Sequence, residues 1–272
     1  MEVIDEKEWI DGDKFEDLAD IKLDKNLYDN IQNFEGTPIV YCATEDTQDL
    51  FKVLINNKKE IILLTHNSDN QIRDNEISKP VYIKIWYANN YVGNNSDIIS
   101  IPTGLERVRW YVIKRSIMKS ILNSEKNIIN LAYSCFSPTT NLDRIKILKL
   151  MEKLPYVTVE YGTNGGNFER FFNNLYSHVY IICPVGNSTG HSDGDCAIGS
   201  HRFWESLYMG SIPIVLDRVG NRKFDDLPVL YVDKWEDITE KLLLESLDKL
   251  NYKWNNIEQL NFSYWRNKIK IN

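Results

Sequence analysis

Cysteine is sparse in this chain: Cys42, Cys135, Cys183 and Cys196 are the four in 272 residues, with no CxxC pair among them. That spacing excludes a disulfide scaffold and the common zinc modules. Three of the four sit in or beside apolar, strand-like runs, where cysteine behaves as a small hydrophobe. They read as free thiols in a reducing compartment. The histidines, His66, His178, His191 and His201, have no metal-ligand spacing either, so no metal site is expected. Positive charge is also short, with 32 basic against 39 acidic residues and a net charge of −7. A nucleic-acid partner calls for the opposite balance and is not expected. The local group Lys114, Arg115 and Lys119 reads as a solvated helix face. No apolar run approaches the roughly eighteen residues of a membrane span. The opening "MEVIDEKEWIDGDKFEDLAD" is acidic and has no apolar core of the signal-peptide kind. The expectation is a soluble, cytoplasmic protein without a membrane span.

Two phosphate-binding fingerprints are missing as well. There is no GxxxxGK[ST], and no GxGxxG follows the first strand of either half; "GTNGGN" (162–167) has the wrong spacing. Dehydrogenase and kinase readings lose most of their support.

What the chain does have is apolar content, 43% with 12% aromatics, enough for packed cores. Its length suggests two domains. Short β-branched runs alternate with amphipathic segments. "TPIVYCA" (37–43) reads as a strand, Thr44 as the cap of a helix over 45–59, and "EIILLTHNSDN" (60–70) as a strand with a polar loop. Further strands are predicted at 81–86 and 98–102, and a helix over 106–124. A second series starts at "IINLAYSCF" (128–136). Helices are predicted over 141–154 and from Phe168, strands over 156–161, 179–184 and 229–232, and a leucine-rich helix over 237–250 with an Asp237–Glu240 capping box. The expected fold class is α/β, with two Rossmann-like domains, 1–126 and 127–272, facing across a cleft. The last helix is expected to pack back on the first domain. Ligands of parallel sheets lie beyond the carboxyl ends of the strands.

The loop "PVGNSTGHSDGDCAIG" (184–199) exceeds the usual two to six residues of a strand-to-helix connection. It leads into "SHRFWESLYMGSIPIVLD", where Arg202 and Glu205 share one face of a helix start. A cation there opposes the helix macrodipole unless an anion binds beside it. Two readings stand at this point: the pair holds a phosphate-bearing ligand and its ribose, or it is a plain ion pair on the helix surface.

"CPVGNSTG…SHRFWESLYMGSIPIVLD…FDDLPVLYV" resembles the nucleotide-sugar half of exostosin-like glycosyltransferases. That family has a strand ending in Pro-x-Gly, then (Ser/Thr/His)-Arg-x-Trp-Glu, then a Gly-x-Ile-Pro strand. The match is strongest over 179–235. Upstream, "LLTHNSD" and "SIPTGLER" are similar to segments of small, virus-encoded members. The resemblance implies a GT-B architecture, with an N-terminal acceptor domain, a C-terminal donor domain, and inverting, metal-independent transfer from a UDP-sugar to a glycan hydroxyl. UDP-xylose is the best guess for the donor. Arg202 would hold the diphosphate and Glu205 the ribose. Ser200, His201, Gly186 and Asn187 would line the same site, with Ser137, Thr140 and Arg144 as further donor-binding candidates. Two features depart from the family. Many members carry a membrane anchor, and Pro213 stands where retaining GT-B enzymes often have a second Glu.

Inverting transfer needs a base on the acceptor side. Asp69, in the loop after "IILLT", is the first candidate, with a turn-forming role as the plain alternative. His66 could orient that loop or act as the base itself. Glu45, Asp46 and Glu106 are reserves. Asn67, Trp86, Glu106 and Arg107 are candidates for acceptor contact, Trp86 and Tyr87 by stacking on sugar rings. The competing class is a catalytically silent glycan- or nucleotide-binding protein on the same fold. "DGD" at 11–13 and 193–195 is the nearest approach to a metal-holding Asp-x-Asp, and reads as turn chemistry.

Overall fold

A computed structural model describes residues 3–141, 143–162, 167–186 and 197–271. Its first half runs α1 (Gly12–Glu16), β1 (Ile21–Lys22), α2 (Leu27–Asn33), β2 (Ile39–Ala43), α3 (Thr47–Val53), β3 (Ile61–His66), β4 (Ile72–Arg73), β5 (Ile83–Ala88), β6 (Tyr91–Val92), β7 (Ile98–Ser100) and α4 (Val108–Leu122). The second half runs β8 (Asn130–Phe136), α5 (Asp143–Met151), β9 (Val157–Tyr161), α6 (Phe168–Tyr176), β10 (His178–Ile182), α7 (His201–Tyr208), β11 (Ile212–Leu216), β12 (Leu230–Val232), α8 (Glu240–Lys253) and α9 (Phe262–Ile271).

Two five-stranded sheets result, both parallel throughout. The fold is therefore α/β, compatible with Rossmann-like architecture. The sheets differ in winding. The first has the order β1-β2-β3-β5-β7, which follows the chain without reversal. The second has the order β12-β11-β10-β8-β9, so the chain reverses direction between β8 and β10. Such a switch point leaves a crevice outside the carboxyl ends of the two strands, where α/β sheets take ligands.

Alternation along each strand divides the side chains between cores. In β2, Val40 and Cys42 face an outer cluster with α2 and α3, while Ile39 and Tyr41 face a central one. In the second sheet, Tyr180 and Ile182 face a cluster with α5 and α8, and Ile181 joins the central one. That central cluster also takes Phe15, Tyr111, Phe172, Trp204 and Trp265 from α1, α4, α6, α7 and α9. It is continuous between the sheets. Each large side chain fully buried there contributes roughly 1.5–3 kcal/mol. α9 returns to the first sheet: the Tyr87 hydroxyl donates to the Lys268 carbonyl at 3.1 Å, and Phe262 packs edge-on against Phe15.

The N-terminal segment is more ordered than its acidity suggests. Trp9, Ile10, Phe15 and Leu18 are buried while the acids between them point outward or pair. Asp11, fully buried, binds Arg115 at 2.6 Å and caps α1 through the Lys14 amide. Gly104 takes φ +68, and a Cβ there would fall 2.4 Å from the Ile10 carbonyl oxygen. Glycine is what lets these strands of chain touch.

Several local expectations are corrected. The helix after β2 starts at Thr47, behind a 3-10 turn over Thr44–Asp46. Thr44 does not cap it; its hydroxyl donates to Asn89 Oδ1 at 3.2 Å. The Asp237–Glu240 box does not form, because Thr239 is the N-cap of α8 and accepts from the Leu242 amide. Of Arg115, Lys114 and Lys119, Lys119 is on a solvated face, while Arg115 is buried and Lys114 half-buried. They pair with Asp11, Glu106 and Glu6 respectively. Cys42, Cys135 and Cys183 are buried free thiols. No helix among the described residues is long and apolar enough to cross a membrane.

Candidate functional site at the facing sheet edges

The carboxyl ends of both sheets open on one cleft of about 720 Å³. From the first sheet it is walled by the loop after β3 (His66 to Asn70), by Asn89 and Asn90 after β5, and by Glu106, Arg107 and Trp110 at the start of α4. From the second come Thr140 and Arg144 after β8, Gly186 after β10, and Gly199, Ser200 and His201 at the start of α7. Parallel strands aim their carboxyl-end loops the same way, which is why residues so far apart in sequence share one wall.

Arg144 is the unusual group here. It is 8% exposed, and its guanidinium donates to the carbonyls of Val185 (2.9 Å), Ser137 (3.3 Å) and Pro184 (3.4 Å). Among the described residues it has no carboxylate partner. Burial, and after it the charge of Arg202, pull its pKa down to about 10. A buried cation held by carbonyl dipoles and by the Phe136 ring, whose centroid is 5.3 Å from its Cζ, is short of an anion among the described residues.

Beside it lies the N-terminus of α7. Ser200 is the N-cap, yet its side chain makes no capping bond, and its buried hydroxyl has no partner among the described residues. The first amides of that helix therefore have no side-chain cap among the described residues. A Cβ at Gly186 would lie 3.7 Å from Arg144 Nη2 and 3.9 Å from Ser200 Cβ, so the two groups flank this glycine. Across the cleft, the amide nitrogen of Asn89 is buried and likewise has no partner among the described residues. The two halves touch where Asn90, at φ +53, presses against Gly199. A Cβ on Gly199 would fall 2.2 Å from Asn90 Oδ1. His201 adds a second tie, Nδ1 to the Gly104 carbonyl at 2.9 Å.

Arg202 and Glu205 do not line the cleft. Arg202 Nε donates to Glu205 Oε2 at 3.1 Å, a second guanidinium nitrogen bonds the Cys135 carbonyl, and the cation stacks 4.2 Å from the Phe171 ring centroid. Glu205 accepts a further, short bond from the Tyr111 hydroxyl of α4. Of the two alternatives the sequence left open, the side chains adopt the ion pair. It is internal, with side chains 15% and 8% exposed. Ser137 shares its hydroxyl with Thr139 at 2.8 Å and is not in the cleft wall. Asn187 lies outside the described residues, as does the second "DGD". In the first, Asp11 and Asp13 are each taken by an arginine, Arg115 and Arg107.

On the acceptor-side wall the candidates divide. Trp86 is fully buried under the first sheet, edge-on to Phe51, with its indole N–H on Thr65. It cannot stack on a sugar there, and neither can the fully buried Tyr87. Asn67, at φ +58, donates to the Tyr41 hydroxyl at 2.8 Å. Arg107 is clasped by Asp13 and Glu16 at 2.5 and 2.8 Å, and Glu106 pairs with Lys114 at 3.2 Å. Asp69 is exposed on the cleft, and its carboxylate has no partner among the described residues. The turn role falls to Ser68, whose hydroxyl accepts from the Asn70 amide at 3.1 Å.

His66 is not placed to act as a base. Its Nδ1 accepts the Asn67 amide at 2.7 Å, which leaves Nε2 to donate to the Pro102 carbonyl at 2.9 Å. Burial drives its pKa down to about 4. The imidazole is neutral near pH 7 and its lone pair is occupied. The unfolded chain binds this proton near pH 6.5 and the folded chain does not, so stability falls as pH drops from about 6.5 toward 4. The loss from His66 alone should reach about 3 kcal/mol. His178, shifted the same way by burial, adds to it. Denaturant midpoints at pH 7 and pH 4.5 should show a shallower drop in His66→Gln than in the wild type.

Sequence reasoning missed Asn89, Asn90 and Gly199. The signal was the polar "NN" that ends the β5 run, in the same position relative to its strand as "HNSDN" after β3.

No protein-family model and no curated protein matches the chain. Among the described residues, no three His, Cys, Asp or Glu side chains gather in a group that could hold a metal ion.

Proposed function

We propose that this protein is an inverting glycosyltransferase of GT-B type that moves a sugar from a UDP-sugar to a hydroxyl of a glycan acceptor. One observation carries the reading: among the described residues, a buried arginine without a carboxylate partner stands beside a helix N-terminus without a side-chain cap and a serine hydroxyl without a partner. Arg144, Ser200 and α7 together make a seat for a diphosphate. The resemblance over 179–235 supplies the nucleotide-sugar class, with UDP-xylose as the first donor to try. Two parallel sheets with their carboxyl ends on one cleft support the GT-B arrangement, with the acceptor domain over 1–126 and the donor domain over 127–272.

The chemistry assigns each wall a part. Asp69 takes the proton from the acceptor hydroxyl as its oxygen attacks the anomeric carbon. The bond from that carbon to the β-phosphate oxygen breaks, and UDP leaves with the electron pair. Arg144, the Ser200 hydroxyl and the α7 amides stabilise the charge that grows on the leaving group. Arg202 and Glu205 act at one remove. Their pair joins α7 to Tyr111 of α4 and to the end of β8, which holds the seat in shape.

Calorimetric titration of UDP into the wild type and into Arg144→Met tests the proposal. Arg144→Met should bind UDP about ten- to a hundred-fold more weakly, as expected for loss of a charge-assisted contact.

A further inference from the structure

The inner face of α4 carries Tyr111, Arg115, Met118 and Leu122, all buried. Its outer face is apolar as well over the first two turns. Val108, Trp110, Val112 and Ile113 are 38%, 65%, 57% and 71% exposed. At about 100° per residue, Ile113 stands near the middle of that face, with Trp110 on one flank and Val112 on the other. Single apolar side chains on a surface are ordinary, but four among six consecutive residues form a patch. Trp110 also lines the cleft, so the patch borders its mouth.

The helix is free of acids. "VRWYVIKRSIMKSIL" holds four basic residues and no Asp or Glu, in a chain where acids outnumber bases 39 to 32. Arg115 turns inward to Asp11, while Lys114 and Lys119 pair with Glu106 and Glu6. Arg109 is different. It is exposed beside the patch, its guanidinium 5.3 Å from the Trp110 ring, with no carboxylate partner among the described residues. Ser116 and Ser120 continue the exposed line without charge.

A second copy, an acidic protein or an anionic lipid surface could cover such a patch. Charge disfavours the second copy, because a two-fold interface centred here sets Arg109 near its own counterpart. Shape separates the other two. The exposed side chains stand on the crest of a helix and form a ridge, which needs a matching groove in a protein but enters a headgroup layer anywhere. A Trp ring beside an arginine suits that layer, with the ring at the acyl boundary and the guanidinium on the phosphates.

We propose that the outer face of the first two turns of α4 docks on an anionic lipid bilayer, with Trp110, Val112 and Ile113 entering the headgroup layer and Arg109 on the phosphates. The helix lies on the membrane and does not cross it. The test is sedimentation with vesicles of phosphatidylcholine and of equimolar phosphatidylcholine and phosphatidylserine, at low and high salt. The wild type should bind the mixed vesicles about fivefold or more tighter than the neutral ones. High salt should remove that difference. On the mixed vesicles, Ile113→Glu should weaken binding about tenfold or more and Arg109→Glu about fivefold or more. Both variants should melt with the wild type, because neither side chain is buried. A wild type that stays in solution with both vesicles would overturn the proposal and leave the patch to a protein partner. Equal affinity for the two vesicles would overturn the choice of an anionic surface. Binding that survives Ile113→Glu unchanged would place the contact elsewhere and overturn it too. Sedimentation velocity covers the remaining occupant: a wild-type dimer that Ile113→Glu dissociates would overturn lipid docking in favour of a second copy.

Discussion

Asp69→Asn should lower the rate of sugar transfer by about a hundred-fold or more, the scale of a general-base contribution. Donor affinity and melting should stay near wild type, because the carboxylate has no partner among the described residues and the proposed diphosphate seat is on the other wall. The substitution is close to isosteric and supports no turn, since Ser68 makes that bond. Measurement of UDP release from a UDP-sugar with acceptor present, next to UDP binding, separates a lost base from a lost site. A variant that keeps most of its turnover would return Asp69 to the surface. Glu45, exposed on the same cleft, would then be the next carboxylate to replace. His66 would not, because both of its nitrogens are engaged.

Arg202→Met should act on stability. Removing one partner of an enclosed ion pair leaves the other charge buried, at a cost of about 3–5 kcal/mol. The stranded Glu205 would keep only its bond from Tyr111. Replacing both partners, Arg202→Met with Glu205→Leu, should recover part of the loss, because no charge remains to be desolvated. Denaturant melts of the wild type, the single variant and the double variant give the comparison. An Arg202→Met protein with wild-type stability and lost UDP affinity would instead make this arginine the diphosphate ligand that the family resemblance implies.

Most of the alternation was legible in the sequence, because parallel strands buried on both faces read as short β-branched runs between amphipathic segments. β8 and β10 lie within a residue or two of their predicted bounds. The short first-half elements were not legible: α1 is five residues long and its segment is acidic. Its order comes from contacts made far along the chain, such as Asp11 with Arg115 and Ser263 with Glu8. Nor did spacing reveal the winding of the sheets, which is set by which strand pairs with which.

The site divides on the same line. Residues that lie just past a strand, such as Asp69, could be found from the carboxyl-end rule, whereas Arg144, in the first turn of α5, was a candidate through the family resemblance. The orientation of Arg202 could not. Three-residue spacing on a helix gives a shared face but does not say whether that face looks into a cleft or into a neighbouring helix. Here Tyr111 of α4 and the Phe171 ring of α6 close over the pair. Trp86 shows the same limit, since alternation in β5 turns it to the outer core while Tyr87 faces the central one.

The most direct test of a diphosphate seat at Arg144 is calorimetric titration of UDP into the wild type, Arg144→Met and Arg202→Met at a temperature where all three are folded. The expected result is a loss of about ten- to a hundred-fold in Arg144→Met, against a much smaller change in Arg202→Met. Equal UDP affinity in Arg144→Met and the wild type would contradict it.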